Sequence, residues 1–178
     1  MLKLWNNIRI PHRAMPFTKA LFHTGLITAA GLLLGIAAKL LDIHTSNLGN
    51  IFSQMSVWIF LCTLLAVYSS TPKRAAVNVF LFCAGMLASY YLTAELTASV
   101  YSTLFLYGWI VFALFSPAMG FCAWYAKGKG LLSKIITAGI IIVLLAAAVI
   151  LFDKIRVADI VFALLIGIVL LKKQKEKI

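Results

Sequence analysis

The chain has 178 residues, of which 63% are hydrophobic and 12% charged, half the ~25% charged content of an ordinary soluble domain. A net charge of +11 invites a nucleic-acid partner, but the basic residues stand in short blocks between apolar runs, which excludes that reading and fits membrane topology. Apolar runs recur along the whole length, so residues 1–178 read as a single membrane domain.

Residues 1–16 begin MLKLWNNIRI and are too polar for the apolar core of a signal peptide. Leu4, Trp5 and Ile8 share one helical face before Pro11. Two readings are open: a short helix on the inner membrane surface, with Trp5 among the headgroups, or a disordered leader.

The first span is expected from Phe17 to Leu41. It carries two small-xxx-small pairs, Gly25/Ala29 and Gly31/Gly35. In lipid, packing replaces the hydrophobic effect as the association force, and small residues let backbones approach. This stripe serves either internal packing or a membrane partner subunit. Lys39 is expected to snorkel at the outer end. The connection from Asp42 to Ser56 is rich in turn formers, among them Asn47, Gly49 and Asn50.

The second span runs from about Met55 to Tyr68; its fully apolar part is short, so its helix is expected to begin near Asn50 and to bring Ser53 and Gln54 into the outer leaflet. Thr71-Pro72-Lys73-Arg74 makes a basic turn, and the third span covers Ala75 to Ala94, closed by Tyr90, Tyr91 and Glu95. The fourth, Val100 to Ala126, is nearly uncharged and aromatic-rich. As a helix it is about 40 Å long, more than the ~30 Å hydrocarbon core. Pro117 predicts a tilt or kink there, with the freed backbone groups satisfied by neighbours.

After Lys127-Gly128-Lys129-Gly130 comes the cleanest span, Leu131 to Phe152. Asp153 is the expected N-cap of the last, Lys154 to Leu171. Residues 172–178 form a basic cytoplasmic tail.

Orientation follows from Lys and Arg. Lys3, Arg9, Arg13, Lys19, Lys73, Arg74, Lys127, Lys129, Lys134, Lys172, Lys173, Lys175 and Lys177 fall on one side, and Lys39, Lys154 and Arg156 on the other. The fold class is therefore all-α: an integral membrane bundle of six transmembrane helices with both termini in the cytoplasm. Four of the five acids gather on the outer side.

Catalytic motifs are absent: no HExxH, no GxSxG, no glycine-rich phosphate loop. Cys62, Cys83 and Cys122 are isolated in apolar runs and read as small packed thiols. No enzyme activity, metal or cofactor is expected.

The best candidate site is outer. Arg156 and Asp159 are spaced i, i+3 and share a helix face. Ionisable residues at membrane depth usually face the bundle interior or a water-filled cavity. Glu95 and Tyr91 end the third span at that level, with Asp42, Asn50 and Gln54 from the first connection and Trp109, Tyr101 and Tyr107 as walls. These residues read either as anchors and caps or as a pocket for a small-molecule ligand. The inner basic rim around Lys73-Arg74 and Lys127-Lys129 suits anionic lipid of the bilayer or a docked partner.

Two resemblances add to this. The stretches LGNIFSQMSVWIF, TPKRAAVNVFLF, SYY and SPAMGFCAWYAKGKG resemble a family of small uncharacterised bacterial multi-pass membrane proteins, which implies a bacterial inner membrane. Size, six spans, inward termini and an outward polar pocket resemble the substrate-binding subunits of energy-coupling-factor vitamin transporters. Their first helix uses an Ala-x-x-x-Ala face, for which Gly31/Gly35 and Gly25/Ala29 are the nearest matches. That likeness implies a binding or transport subunit; a non-catalytic scaffold subunit is the other reading.

Overall fold

The computed structural model describes residues 8–11, 15–45, 49, 51–52 and 54–172. Among the described residues, six helices of 14 residues or more run in chain order: α1 (Phe17–His44), α2 (Met55–Tyr68), α3 (Pro72–Leu96), α4 (Thr103–Tyr125), α5 (Leu131–Phe152) and α6 (Val157–Leu171). No strand occurs among the described residues. Four helices, α1, α3, α4 and α5, are long and apolar enough to cross a membrane. With 14 and 15 residues, α2 and α6 span only about 21 and 22 Å.

The local chemistry explains the ends. Thr71 caps α3 by accepting from the Arg74 N–H at 3.2 Å, and Pro72 takes the first helical position, where its missing N–H costs nothing. Gly130 enters α5 at φ 92°, a conformation only glycine adopts freely.

Asp153, the expected cap of the last helix, instead closes α5 in the left-handed conformation at φ 55°. The true start of α6 is Arg156, whose backbone N–H donates to Asp159 Oδ2 at 2.8 Å. The chain must turn through residues 153–155 first, so the cap falls three residues later.

Pro117 lies inside α4, and the helix runs through it. A proline leaves the carbonyl four residues earlier without its donor. Here that carbonyl is Ala113 O, and the buried Ser116 hydroxyl donates to it at 2.7 Å. The replacement donor thus comes from the adjacent residue of the same helix.

At the centre lies α3, which packs on α1, α4 and α2. Backbones meet closely there. A Cβ on Gly31 would lie 2.5 Å from Phe82 O, and one on Gly35 would lie 2.2 Å from Met86 O. On the other flank, a Cβ on Gly120 of α4 would sit 3.1 Å from Ala75 O. Gly31 and Gly35 therefore serve packing within the chain. Gly25 and Ala29 are exposed, and a Cβ on Gly25 would meet nothing within 4 Å.

The hairpin α5–α6 closes the bundle against α2. Its outer surface is aliphatic: Ile142, Ile150, Leu164 and Ile168 are all exposed. Such a continuous apolar exterior has no place in water and suits lipid tails. Between the helices, Cys62 and Cys83 bring their sulfurs to 3.3 Å in the buried core, while Cys122 is exposed.

Candidate functional site

The bundle has two unlike ends. One is basic and tightly knotted. Arg9, counted in the sequence only as a charge of the inner side, is buried there and donates from Nη1 to Trp124 O at 2.7 Å and from Nη2 to Val67 O at 2.9 Å. Those carbonyls end α4 and α2, where the helix dipoles present partial negative charge, so the guanidinium neutralises two helix ends at once. It also stacks over the Trp124 ring, 4.1 Å from the centroid. Burial holds its pKa down at about 10, so it stays charged at neutral pH.

Neighbouring bonds extend the knot. Trp124 Nε1 donates to Ser69 O, Asn78 Nδ2 to Ser69 Oγ, and Thr24 Oγ1 to Asn78 Oδ1. Arg74 reaches Ala20 O at 2.8 Å. Lys129 N donates to Ile8 O at 2.7 Å, and a side chain at Gly128 would strike that same carbonyl. Residues 8–9 are thus strapped across the base of the bundle. The helical face expected from Leu4 and Trp5 lies outside the described residues, as do Asn47 and most of the C-terminal tail.

The opposite end holds a cavity of 270 Å³. Its walls come from the last turns of α1, α3 and α5, the first turns of α2 and α4, and the connection before α4. Four of the expected pocket residues line it: Asp42, Tyr91, Tyr101 and Trp109. They are joined by Lys39, Phe52, Trp58, Tyr90, Phe105 and Phe152.

The aromatic rings brace one another edge to face, as their quadrupoles favour. Tyr91 stands between Tyr90 at 5.2 Å and Tyr101 at 5.1 Å, and Trp58 meets Trp109 at 6.4 Å and 88°. Trp58 Nε1 is satisfied by Phe52 O at 2.8 Å, which fixes its ring as the cavity wall.

Lys39 does not snorkel. Its side chain is 2% exposed and folds inward to Asp42 Oδ2 at 2.9 Å, with Nζ 5.3 Å from the Tyr90 centroid. Tyr90 donates its hydroxyl to the same Asp42 oxygen at 3.2 Å. The i, i+3 spacing of Lys39 and Asp42 was the available signal.

The other proposed site residues lie around this centre or away from it. Glu95, exposed, accepts from the Tyr101 hydroxyl at the rim. That bond and the nearby negative charge hold the Tyr101 pKa above its ordinary 10. Arg156 lies over Phe152, 5.1 Å from a ring that faces the cavity. Asp159 is buried as the α6 cap and lies outside the cavity lining. Gln54 is buried with its Oε1 unpaired, also outside the lining. Asn50 is outside the described residues. Tyr107 points outward and is 62% exposed. No metal-binding cluster occurs among the described residues.

Four membrane-length apolar helices, two shorter ones and an aromatic recess at one end mark a helical membrane protein. The chain belongs to a family of unknown function, DUF6518, whose profile matches residues 15–177. No curated protein and no solved structure matches it.

Proposed function

We propose that the protein is a non-catalytic small-molecule-binding or transport subunit of a bacterial inner membrane. It crosses the bilayer six times, with both termini in the cytoplasm and the aromatic recess open to the outside. The observation that carries this reading is a charged side chain, Lys39, buried beside an aromatic-walled cavity of 270 Å³. Ligand sites combine apolar walls with a few convergent polar groups, at volumes of about 300–1,000 Å³; this recess lies just below that range.

The six crossings draw support from the two ends. Helix α2 begins at the cavity, near Phe52 and Trp58, and finishes at the Arg9 knot through Val67. It covers the distance between the ends despite its 14 residues. Arg9, Arg74, Lys127 and Lys129 all gather at the knotted end, as the positive-inside rule asks of a cytoplasmic face. The architecture is similar in these respects to the substrate-binding subunits of energy-coupling-factor transporters.

The test is thermal. Detergent-purified protein is screened against a broad metabolite library, and at least one compound raises its melting temperature. Trp109→Ala and Tyr91→Ala abolish that rise. A screen without any shift overturns the reading.

The exposed Gly25/Ala29 pair favours a second reading, a scaffold subunit held by a membrane partner. Under it, Gly25→Leu with Ala29→Leu abolishes co-purification of that partner. Unchanged co-purification removes this face from the interface.

A further inference from the structure

Lys39 and Asp42 are oppositely charged, adjacent, and incompletely satisfied. An ammonium has three N–H donors. One goes to Asp42 Oδ2, and the Tyr90 ring lies under the same group. Both contacts to Asp42, from Lys39 and from Tyr90, fall on Oδ2, and Oδ1 has no partner among the described residues. The pair therefore presents spare donors and a spare acceptor side by side at the cavity wall.

A long lysine at a membrane interface ordinarily keeps its head in water. Lys39 has a four-carbon stem long enough for that, and it is buried instead. Desolvating an ammonium is expensive even when one counter-ion is present. A purely structural ion pair does not need to face a cavity, whereas a recognition pair does.

Charge decides the class of ligand. A simple anion reaching Lys39 meets the Asp42 carboxylate beside it. A simple cation reaching Asp42 meets the Lys39 ammonium. A molecule with both charges on neighbouring atoms matches the pair in reverse order, and none of the four charges is left without a counter-charge. Trp58, Trp109, Phe105 and Phe152 add flat apolar walls, and the hydroxyl-bearing Tyr91, Tyr101 and Ser102 line another part of the cavity. We propose that this cavity binds a zwitterion with a flat apolar body, the chemistry of an aromatic amino acid. Its carboxylate bonds to Lys39, its ammonium bonds to Asp42, and its ring lies between Trp109 and Phe105. The assignment rests on the binding-subunit reading above.

The test uses the full chain in lipid nanodiscs and isothermal titration calorimetry. Four probes are compared: L-phenylalanine, L-tryptophan, 3-phenylpropionate, which has only the anion, and phenethylamine, which has only the cation. Either or both amino acids are expected to bind at least tenfold more tightly than both single-charge probes. Asp42→Asn leaves Lys39 positive and shifts the preference toward 3-phenylpropionate. Lys39→Met leaves Asp42 negative and shifts it toward phenethylamine. The double variant Lys39→Met/Asp42→Asn leaves neither charge unpaired, so it folds and loses amino-acid binding by at least tenfold. Equal binding of a single-charge probe by the wild type overturns the proposal, as does undiminished amino-acid binding by the double variant. If other compounds bind in the thermal screen while both amino acids do not, the zwitterion assignment falls and the binding-subunit reading stands. If nothing binds, both fall.

Discussion

One substitution, made at two positions of one helix, should have opposite effects. Gly25 and Gly35 both lie in α1, ten residues apart, one from each of its small-residue pairs. At Gly35 an added Cβ would lie 2.2 Å from Met86 O. Carbon and oxygen are comfortable at about 3.4 Å, so α1 must retreat from α3 by roughly 1 Å. The Ser89 hydroxyl, the other near atom, can rotate aside; the Met86 carbonyl is helix backbone and cannot. A gap of that size forfeits a quarter to a half of the dispersion energy along the contact, and overpacking of this kind costs about 3 kcal/mol. At Gly25 an added Cβ meets nothing within 4 Å. There Gly→Ala removes only the backbone freedom of glycine, which favours the helix by up to about 1 kcal/mol. Unfolding in mixed micelles by increasing SDS, followed by tryptophan fluorescence, measures both. Gly35→Ala should unfold at distinctly lower SDS than the wild type and Gly25→Ala at equal or higher SDS. Equal shifts for the two variants would refute the claim that backbone contact between α1 and α3 holds the bundle.

Three further outcomes follow from single contacts. Arg9→Ala removes two charge-assisted bonds to helix-end carbonyls, each worth about 1.5–3 kcal/mol, so the melting temperature should fall; Arg9→Lys should recover only part, because an ammonium cannot fork to both carbonyls. Ser116→Ala leaves Ala113 O without a donor and should cost about 1 kcal/mol in the same SDS titration. Adding Pro117→Ala should restore it by returning the backbone N–H. Tyr101 is held protonated by Glu95, so its folded pKa exceeds its unfolded value. The contact's contribution is present below pH ~10 and lost as pH rises through that raised pKa. Phenolate absorbance, taken as the difference between wild type and Tyr101→Phe, should show a titration above the ordinary range that Glu95→Gln brings down.

The helices were legible because hydrophobic run length is a local property. The bounds of α5 coincide with those read from the sequence; α2 starts at Met55 rather than near Asn50, because the extended backbone of Gln54 interrupts the chain there, and α3 starts earlier than its apolar run because Thr71 and Pro72 form a cap. The polar contacts were not legible, for the opposite reason. Arg9 finds its acceptors 58 and 115 residues away, and no pattern near Arg9 announces them. Lys39 resembled an interfacial anchor because its stem is long enough to reach water; only packing of Tyr90 against it shows that it turns inward. Asp159 read as a pocket partner for Arg156 because i, i+3 spacing suits both an ion pair and a cap, and the bond from the Arg156 backbone shows that it serves as the cap. The two small-residue pairs of α1 are alike by residue type but, six residues apart, lie about 120° round the helix from each other, which puts Gly31/Gly35 inside and Gly25/Ala29 outside.

The strap at the base sets an order of events. Ile8 and Arg9 are made well before their anchors at Val67, Trp124 and Lys129. Until the turn after α4 has emerged, that early segment has nowhere to fasten. Its closure is a late step of assembly, a clasp that shuts only once the helices it joins stand side by side.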